Sequence, residues 1–191
     1  MRSLISASKI ALLATALALS AGAFTPAFAD DPMVGGAAMY ATKNIVENAV
    51  NSKDHTTLVA AVKAAGLVDT LMSAGPFTVF APVNAGFDAL PAGTVDTLLK
   101  PENKAMLAGI LTYHVVAGKY SAEDVAMKAK EMGGKLELTT VAGGKIWLVS
   151  DGNGGWDVMD EKGGKSHITI ANVFQSNGVI HVIDKVLLPK G

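Results

Sequence analysis

Between Thr42 and Met132 the apolar positions recur at helical spacing, and from Leu136 onward they alternate with polar ones. Ile45, Val46, Ala49 and Val50 make one stripe and predict a helix after Thr42. Leu58, Ala61, Val62 and Ala65 fall at i, i+3, i+4 and i+7, with Asp54 as the predicted N-cap and Gly66 as the stop. Leu67 to Ser73, Thr94 to Leu99 and Glu102 to Leu111 predict further short helices. Phe77 to Ala81 is brief, aromatic and β-branched, which predicts a strand; Pro82 ends it, and Asn84 is placed to cap a turn through Phe87. Tyr113 to Val116 turns extended, and Ser121-Ala122-Glu123-Asp124 has the form of a capping box opening a helix to about Met132.

In the second half, Leu136, Leu138 and Thr140 share one strand face while Glu137 and Thr139 share the other. Ile146 and Leu148 repeat the pattern after Gly143-Gly144, and Trp156–Asp160 and His167–Val173 are further strands around Gly163-Gly164. Val179 to Ile183 is nearly continuous apolar, as a central strand buried on both faces requires. Helices first and strands later indicate an α+β layout, not alternating βαβ units.

The N-terminus has the form of a secretory signal peptide. Arg2 and Lys9 precede or open the apolar run Ile10–Ala21, and Ala27-Phe28-Ala29 offers a cleavage site between Ala29 and Asp30. That run is too short for the roughly 20 residues that a membrane span needs. Residues 1–29 are therefore expected to be removed, residues 30–41, with Gly35-Gly36, to be a loosely ordered lead-in, and residues 42–191 to form one domain. No transmembrane segment is expected in the mature chain, which is placed outside the cytoplasm, periplasmic or secreted, in a bacterium. Removing Arg2 and Lys9 from the 16 cations leaves 14 lysines against 17 acids, and no arginine. Such a chain is not expected to bind nucleic acid or to clamp a phosphate through guanidinium groups. The chain has no cysteine, which excludes disulfides, thiolate metal sites and thiol chemistry.

Two blocks carry a resemblance. Gly75-Pro76-Phe77-Thr78-Val79-Phe80-Ala81-Pro82-Val83-Asn84-Ala85-Gly86-Phe87 and Asn177-Gly178-Val179-Ile180-His181-Val182-Ile183-Asp184-Lys185-Val186-Leu187-Leu188-Pro189 resemble, in order and spacing, the two signature motifs of fasciclin domains. Between them, Leu111-Thr112-Tyr113-His114-Val115-Val116-Ala117-Gly118 resembles the Tyr-His segment of that family. The likeness extends from about Thr42 to Pro189 and is to single-domain exported bacterial members. It implies a β-wedge of about seven strands with helices packed at one end, and a role in adhesion or extracellular interaction. The signature residues it marks are Phe77, Thr78, Phe80, Ala81, Pro82, Asn84, Phe87, Asn177, Gly178, His181 and Asp184. There are three departures. Val83 stands where the family has Thr, and Gly86 where Ala is usual, which should loosen that turn. Asn172-Val173 stands where some animal members present an Asp-Ile pair to integrins. An amide is a poor ligand for a divalent cation, so integrin-type binding is not expected.

The residues offer little chemistry. Tyr113 and His114 are the candidate binding pair, but the apolar residues around them favour a buried, hydrogen-bonded role. His181 reads as a satisfied core histidine, and Asp184 as an acceptor for nearby backbone. The four histidines, at 55, 114, 167 and 181, are scattered, and Met33 and Met39 are a weak pair for copper, so no metal or cofactor is expected. Asp151–Asp157 resembles the start of a calcium loop, but Trp156 stands where Gly is needed and Lys162 where Glu is needed; a hairpin turn explains the same residues. No G-x-S-x-G elbow or phosphate loop exists, and no enzyme activity is expected. The leading expectation is a non-catalytic module that binds an envelope or extracellular protein or polysaccharide. The alternative is a carrier of a small apolar ligand, a lipid or pigment, in a cleft lined by Met106, Met127, Met132, Trp147 and Trp156.

Overall fold

The computed structural model describes residues 31–190, so the signal peptide and the junction of Ala29 with Asp30 lie outside the described residues. The lead-in expected to be loosely ordered is instead a hairpin, β1 (Met33–Val34) with β2 (Ala37–Ala38). Gly35 and Gly36 turn it with φ of 58° and 77°, a conformation open to glycine. Val34 and Met39 anchor it in the core, and Gly35 lies so close to the backbone of Lys53 and Asp54 that no side chain would fit.

Helix α1 (Ile45–Ala49) is opened by Asn44, whose Oδ1 accepts from the N–H groups of Val46 and Glu47 while Glu47 accepts from the N–H of Asn44. Asp54 is not the cap predicted for the next helix. It lies inside a 3-10 turn, Lys53–His55, that precedes α2 (Thr56–Ala65). Helix α2 does bury Leu58, Ala61, Val62 and Ala65, and Gly66 ends it at φ 72°, as the spacing predicts. After α3 (Val68–Met72) comes β3 (Phe77–Pro82), then α4 (Asn84–Asp88), α5 (Thr94–Leu98), α6 (Lys104–Tyr113) and β4 (Val115–Ala117). Helix α7 (Ala122–Glu131) has the predicted Ser121–Asp124 capping box. Strands β5 (Lys135–Thr139), β6 (Lys145–Ser150), β7 (Trp156–Met159), β8 (Lys165–Gln175) and β9 (Gly178–Ile183) complete the chain.

Seven of the strands form one sheet in the order β4-β3-β9-β8-β7-β6-β5. A bridge between Val116 and Thr140 brings its two ends together, so the sheet nearly closes into a barrel. All its pairings are antiparallel except β3 with β9, which is parallel. The fold is thus the α+β seven-strand arrangement that the resemblance implied.

Two apolar clusters fill it. One lies between the helices and the sheet and includes Leu58, Val62, Leu71, Leu107, Leu111 and Val182. The other lies within the curled sheet and includes Phe80, Tyr113, Ile146, Leu148, Val158 and Ile183. Strand β3 serves both, with Val79 and Ala81 in the first and Phe80 in the second. Strand β9 does the same, which is why Val179–Ile183 lacks the alternation of an edge strand.

Candidate functional site

The two sequence blocks meet along the parallel pairing of β3 with β9, in which Phe77 faces Gly178, Phe80 faces His181 and Ala81 faces Val182. Phe80 is 0% exposed and Val182 1%, and the His181 ring stacks on Phe80 with centroids 5.7 Å apart. Gly178 is required at its place, because a Cβ there would overlap the carbonyl oxygen of Phe77. The polar signature residues are all satisfied inside the molecule. Thr78 Oγ1 donates to Gly118 O (2.7 Å) and accepts from Tyr120 N–H (2.9 Å). Asn177 accepts from Ile45 N–H and donates to the carbonyls of Leu71 and Ser73, pinning α1 and α3 to the start of β9. Asp184 accepts from the Ser166 hydroxyl and the His167 N–H.

Asn84 acts differently from the sequence reading. The N-cap of α4 is Val83, which makes no side-chain cap. Asn84 Oδ1 instead accepts from Thr57 N–H (3.0 Å) and the Thr56 hydroxyl, and its amide donates to Lys53 O (2.8 Å). It caps the neighbouring helix α2 and fixes the 3-10 turn before it. Phe87, the last residue of the first block, is buried in the helix-side core.

Tyr113 and His114 are both buried, at 0% and 2% exposure, so neither offers a surface for recognition. The Tyr113 hydroxyl donates to Lys145 O (2.6 Å) and accepts from Glu161 N–H (3.1 Å), and burial raises its pKa. His114 Nδ1 lies 2.8 Å from Ile110 O and Nε2 accepts from Leu187 N–H at 2.9 Å. The ring is therefore neutral with its proton on Nδ1. Burial lowers its pKa to about 4.

The remaining histidines do not converge on a metal. His55 is buried against Ser52 Oγ (2.9 Å), and His181 Nε2 faces Tyr120 O (2.8 Å); burial lowers the pKa of both. His167 is on the surface beside Asp157, 3.0 Å away, and no cluster of three His, Asp or Glu that could hold a metal occurs among the described residues. Residues 151–155 form the hairpin turn between β6 and β7, in which Asp151 Oδ1 accepts from the N–H groups of Asn153 and Gly155. Met33 is exposed and Met39 buried, so they do not form a pair of ligands.

An apolar crevice runs between α1, α2, α3 and the sheet, walled by residues such as Ile45, Val59, Val62, Val68, Val79 and Ile180. It has a volume of about 70 Å³. That is below the roughly 300 Å³ at which ligand pockets begin. None of Met106, Met127, Met132, Trp147 and Trp156 lines it. The three methionines are exposed instead, and Trp156 packs on the core within the curled sheet.

The outer face of β5–β8 is the polar counterpart of that crevice. Register places Glu137, Trp147, Met159 and Lys165 in one row across the four strands. Lys135, Val149, Asp157 and His167 form the next row. Trp147 Nε1 donates to Glu137 (2.9 Å), Glu137 pairs with Lys145 (2.7 Å), and Lys135 Nζ lies 4.6 Å from the indole centroid. The pair with Lys145 and the bond from Trp147 hold the Glu137 carboxyl below the usual range.

Comparison with known proteins agrees with this geometry. The sequence matches the family model of the fasciclin domain over residues 53–189. This chain belongs to the fasciclin domain family. Protein sll1483 of Synechocystis sp. is 48% identical over 158 residues, covering 82% of this chain and 79% of that protein. The cell surface glycolipoprotein MPB83 of Mycobacterium bovis is 32% identical over 160 residues, covering 81% of this chain and 64% of that one. The fold is similar to a solved FAS1 domain pair from the insect cell adhesion molecule fasciclin I. The TM-score there is 0.69 at 20% identity, over 76% of this chain and 51% of the other.

Two of the departures of this fasciclin domain, Gly86 and Asn172, now have physical reasons. Gly86 serves a close approach. A Cβ there would come within 2.8 Å of Asp184 O and 3.1 Å of Lys185 Cα, so glycine lets the first motif close onto the second. Asn172 has φ 60°, a conformation that asparagine tolerates. Its Oδ1 accepts from Ala122 N–H (2.7 Å) and its amide donates to Glu123 (3.0 Å), so it holds the start of α7. The Glu137–Trp147–Lys135 group is not evident from sequence. The alternation does put Glu137 on the outer face of its strand; what it does not give is the cross-strand register that brings Trp147 opposite.

Proposed function

We propose that this fasciclin domain is a non-catalytic, exported interaction module that binds a protein or polysaccharide of the cell envelope or extracellular space. The observation that carries this reading is the internal use of every polar signature side chain. Thr78, Asn84, Asn177, His181 and Asp184, with Tyr113 and His114, all bond within the fold, leaving recognition to outer residues. Membership of the family, the cell-surface name of the mycobacterial relative and the adhesion role of the insect molecule with the similar fold support it. No helix among the described residues is long and apolar enough to cross a membrane. The test is affinity capture from a mild detergent extract of the source envelope with residues 30–191 as bait. The expected result is saturable enrichment of one protein or polysaccharide. Repeated capture of none, or turnover of an ester or glycan substrate, overturns it.

A second reading, carriage of a small apolar ligand, is favoured by the crevice, whose walls are almost wholly carbon. A lipid or pigment would require α1–α3 to part from the sheet. Native mass spectrometry of protein from its source is the test: an apolar adduct that survives dilution supports carriage.

A further inference from the structure

We propose that the outer face of β5–β8 is a glycan-binding platform centred on Trp147, taking a neutral oligosaccharide of β-linked, equatorially substituted pyranoses. The inference rests on the interaction-module reading and names the chemical class of its partner. Four features point to that class. Trp147 lies in the middle of a four-strand antiparallel face whose opposite side is the buried row Leu136, Leu148 and Val158. The platform is therefore backed by core and does not flex with a loop. Its N–H is already spent on Glu137, which is itself tied to Lys145, so the indole can offer only its π-face and is held still before any ligand arrives.

Lys135, itself exposed, holds its Nζ over the ring, 4.6 Å from the centroid. An exposed cation–π contact is weak, so a ligand can displace it. The surrounding charges are mixed: Lys135, Lys145 and Lys165 against Glu137 and Asp157, with Asp157 bonded to His167. A polyanion would meet the two carboxylates. A wholly apolar partner would desolvate the Glu137–Lys145 pair without replacing its water. A pyranose with equatorial hydroxyls fits both requirements. Its axial C–H groups form an apolar face that stacks on the indole, and its rim of hydroxyls can both donate to the carboxylates and accept from the lysines.

The test uses the protein with Trp156→Phe, which leaves Trp147 as the sole tryptophan of two and makes its fluorescence the reporter. Cellohexaose and chitohexaose are titrated, with maltohexaose and polygalacturonate as comparisons. The expected result is a saturable change with at least one of the two β-linked hexaoses. Calorimetry of the otherwise native chain should then show binding weakened about tenfold or more by Trp147→Ala, largely kept by Trp147→Tyr, and kept or tightened by Lys135→Ala. The proposal is overturned by no saturable response to either β-linked sugar, by equal binding by a folded Trp147→Ala, or by tighter binding of polygalacturonate. If the envelope partner captured above is retained by Trp147→Ala, the module reading stands and the platform falls.

Discussion

His114 Nε2 accepts the backbone N–H of Leu187 at 2.9 Å, tying the end of α6 to the C-terminal segment across 73 positions of sequence. The other ring nitrogen faces Ile110 O. Protonating Nε2 would set two donors against each other, which adds to the cost of burying a charge. The folded pKa is accordingly about 4, against 6.5 for the free side chain. Between those values the unfolded chain binds a proton that the native chain refuses, so stability falls as pH falls from about 6.5 to about 4. His114 alone accounts for about 3 kcal/mol of that loss, at about 1.4 kcal/mol for each pKa unit. His55 and His181, whose pKa values burial also lowers, add in the same direction. Urea unfolding at pH 7 and pH 4.5 is expected to show a marked drop. In His114→Gln, stability at pH 7 should be lower by about 2–4 kcal/mol and the drop on acidification smaller. An unchanged drop would show that His114 is not the group that refuses the proton.

The seam between the two motifs predicts a hierarchy among glycines. At Gly178 a methyl group would overlap Phe77 O, which is backbone held by the β3–β9 ladder and unable to move aside. Gly178→Ala is expected to cost about 3 kcal/mol or more, the upper end for overpacking. At Gly86 the clash with Asp184 O is milder, at 2.8 Å, and about 1–3 kcal/mol is expected. Gly143 has open space around it and a φ of 87°, so Gly143→Ala should cost only the conformational penalty, about 1–2 kcal/mol. Denaturant midpoints at constant slope measure all three, and a reversed order would sink the close-approach argument.

Asn84 is expected to matter for a helix that it does not belong to. Asn84→Ala removes the acceptor for Thr57 N–H and the donor to Lys53 O, and about 1–2 kcal/mol of stability should go with the cap. Asn84→Asp keeps the acceptor and should lose less. Amide exchange locates the effect: protection should fall at Thr57 and the first turn of α2, while α4 is left nearly unchanged. Loss confined to α4 would contradict the assignment.

Asp54 and Asn84 show which parts of this molecule can be read from sequence and which cannot. Periodicity gives the inner face of α2 and the outer face of β5, because both depend on spacing within one element. The cap of α2 comes from a residue 27 positions away, and spacing has no access to that. The β3–β9 pairing is out of reach of spacing, since a parallel contact between distant segments leaves no local trace. The lead-in fails for a related reason: Gly35-Gly36 reads as slack until the burial of Val34 and Met39 makes it a tight turn. At the candidate site, the apolar neighbours of Tyr113 and His114 point rightly to burial. Trp147 reads as a cleft residue because its partner Glu137 lies ten positions back, across a hairpin.

Asn172 offers a last test, in which an acidic residue is put in its place. Its amide donates to both oxygens of Glu123, and its Oδ1 accepts from Ala122 N–H. Asn172→Asp keeps the acceptor for Ala122 but sets a second carboxylate against Glu123, whose pKa is lowered by hydrogen bonds from its own backbone N–H, from Ser121 and, to a smaller extent, from Asn172. The substitution should lower the unfolding midpoint at neutral pH. The deficit should shrink on acidification as one carboxylate of the pair takes a proton. Adding Glu123→Gln should recover the midpoint, because the new amide can donate to the aspartate. Thermal unfolding of the two single variants and the double variant forms a cycle whose coupling should be favourable. Additive losses would mean that Asn172 holds its position through its left-handed backbone alone, and that Glu123 is a bystander.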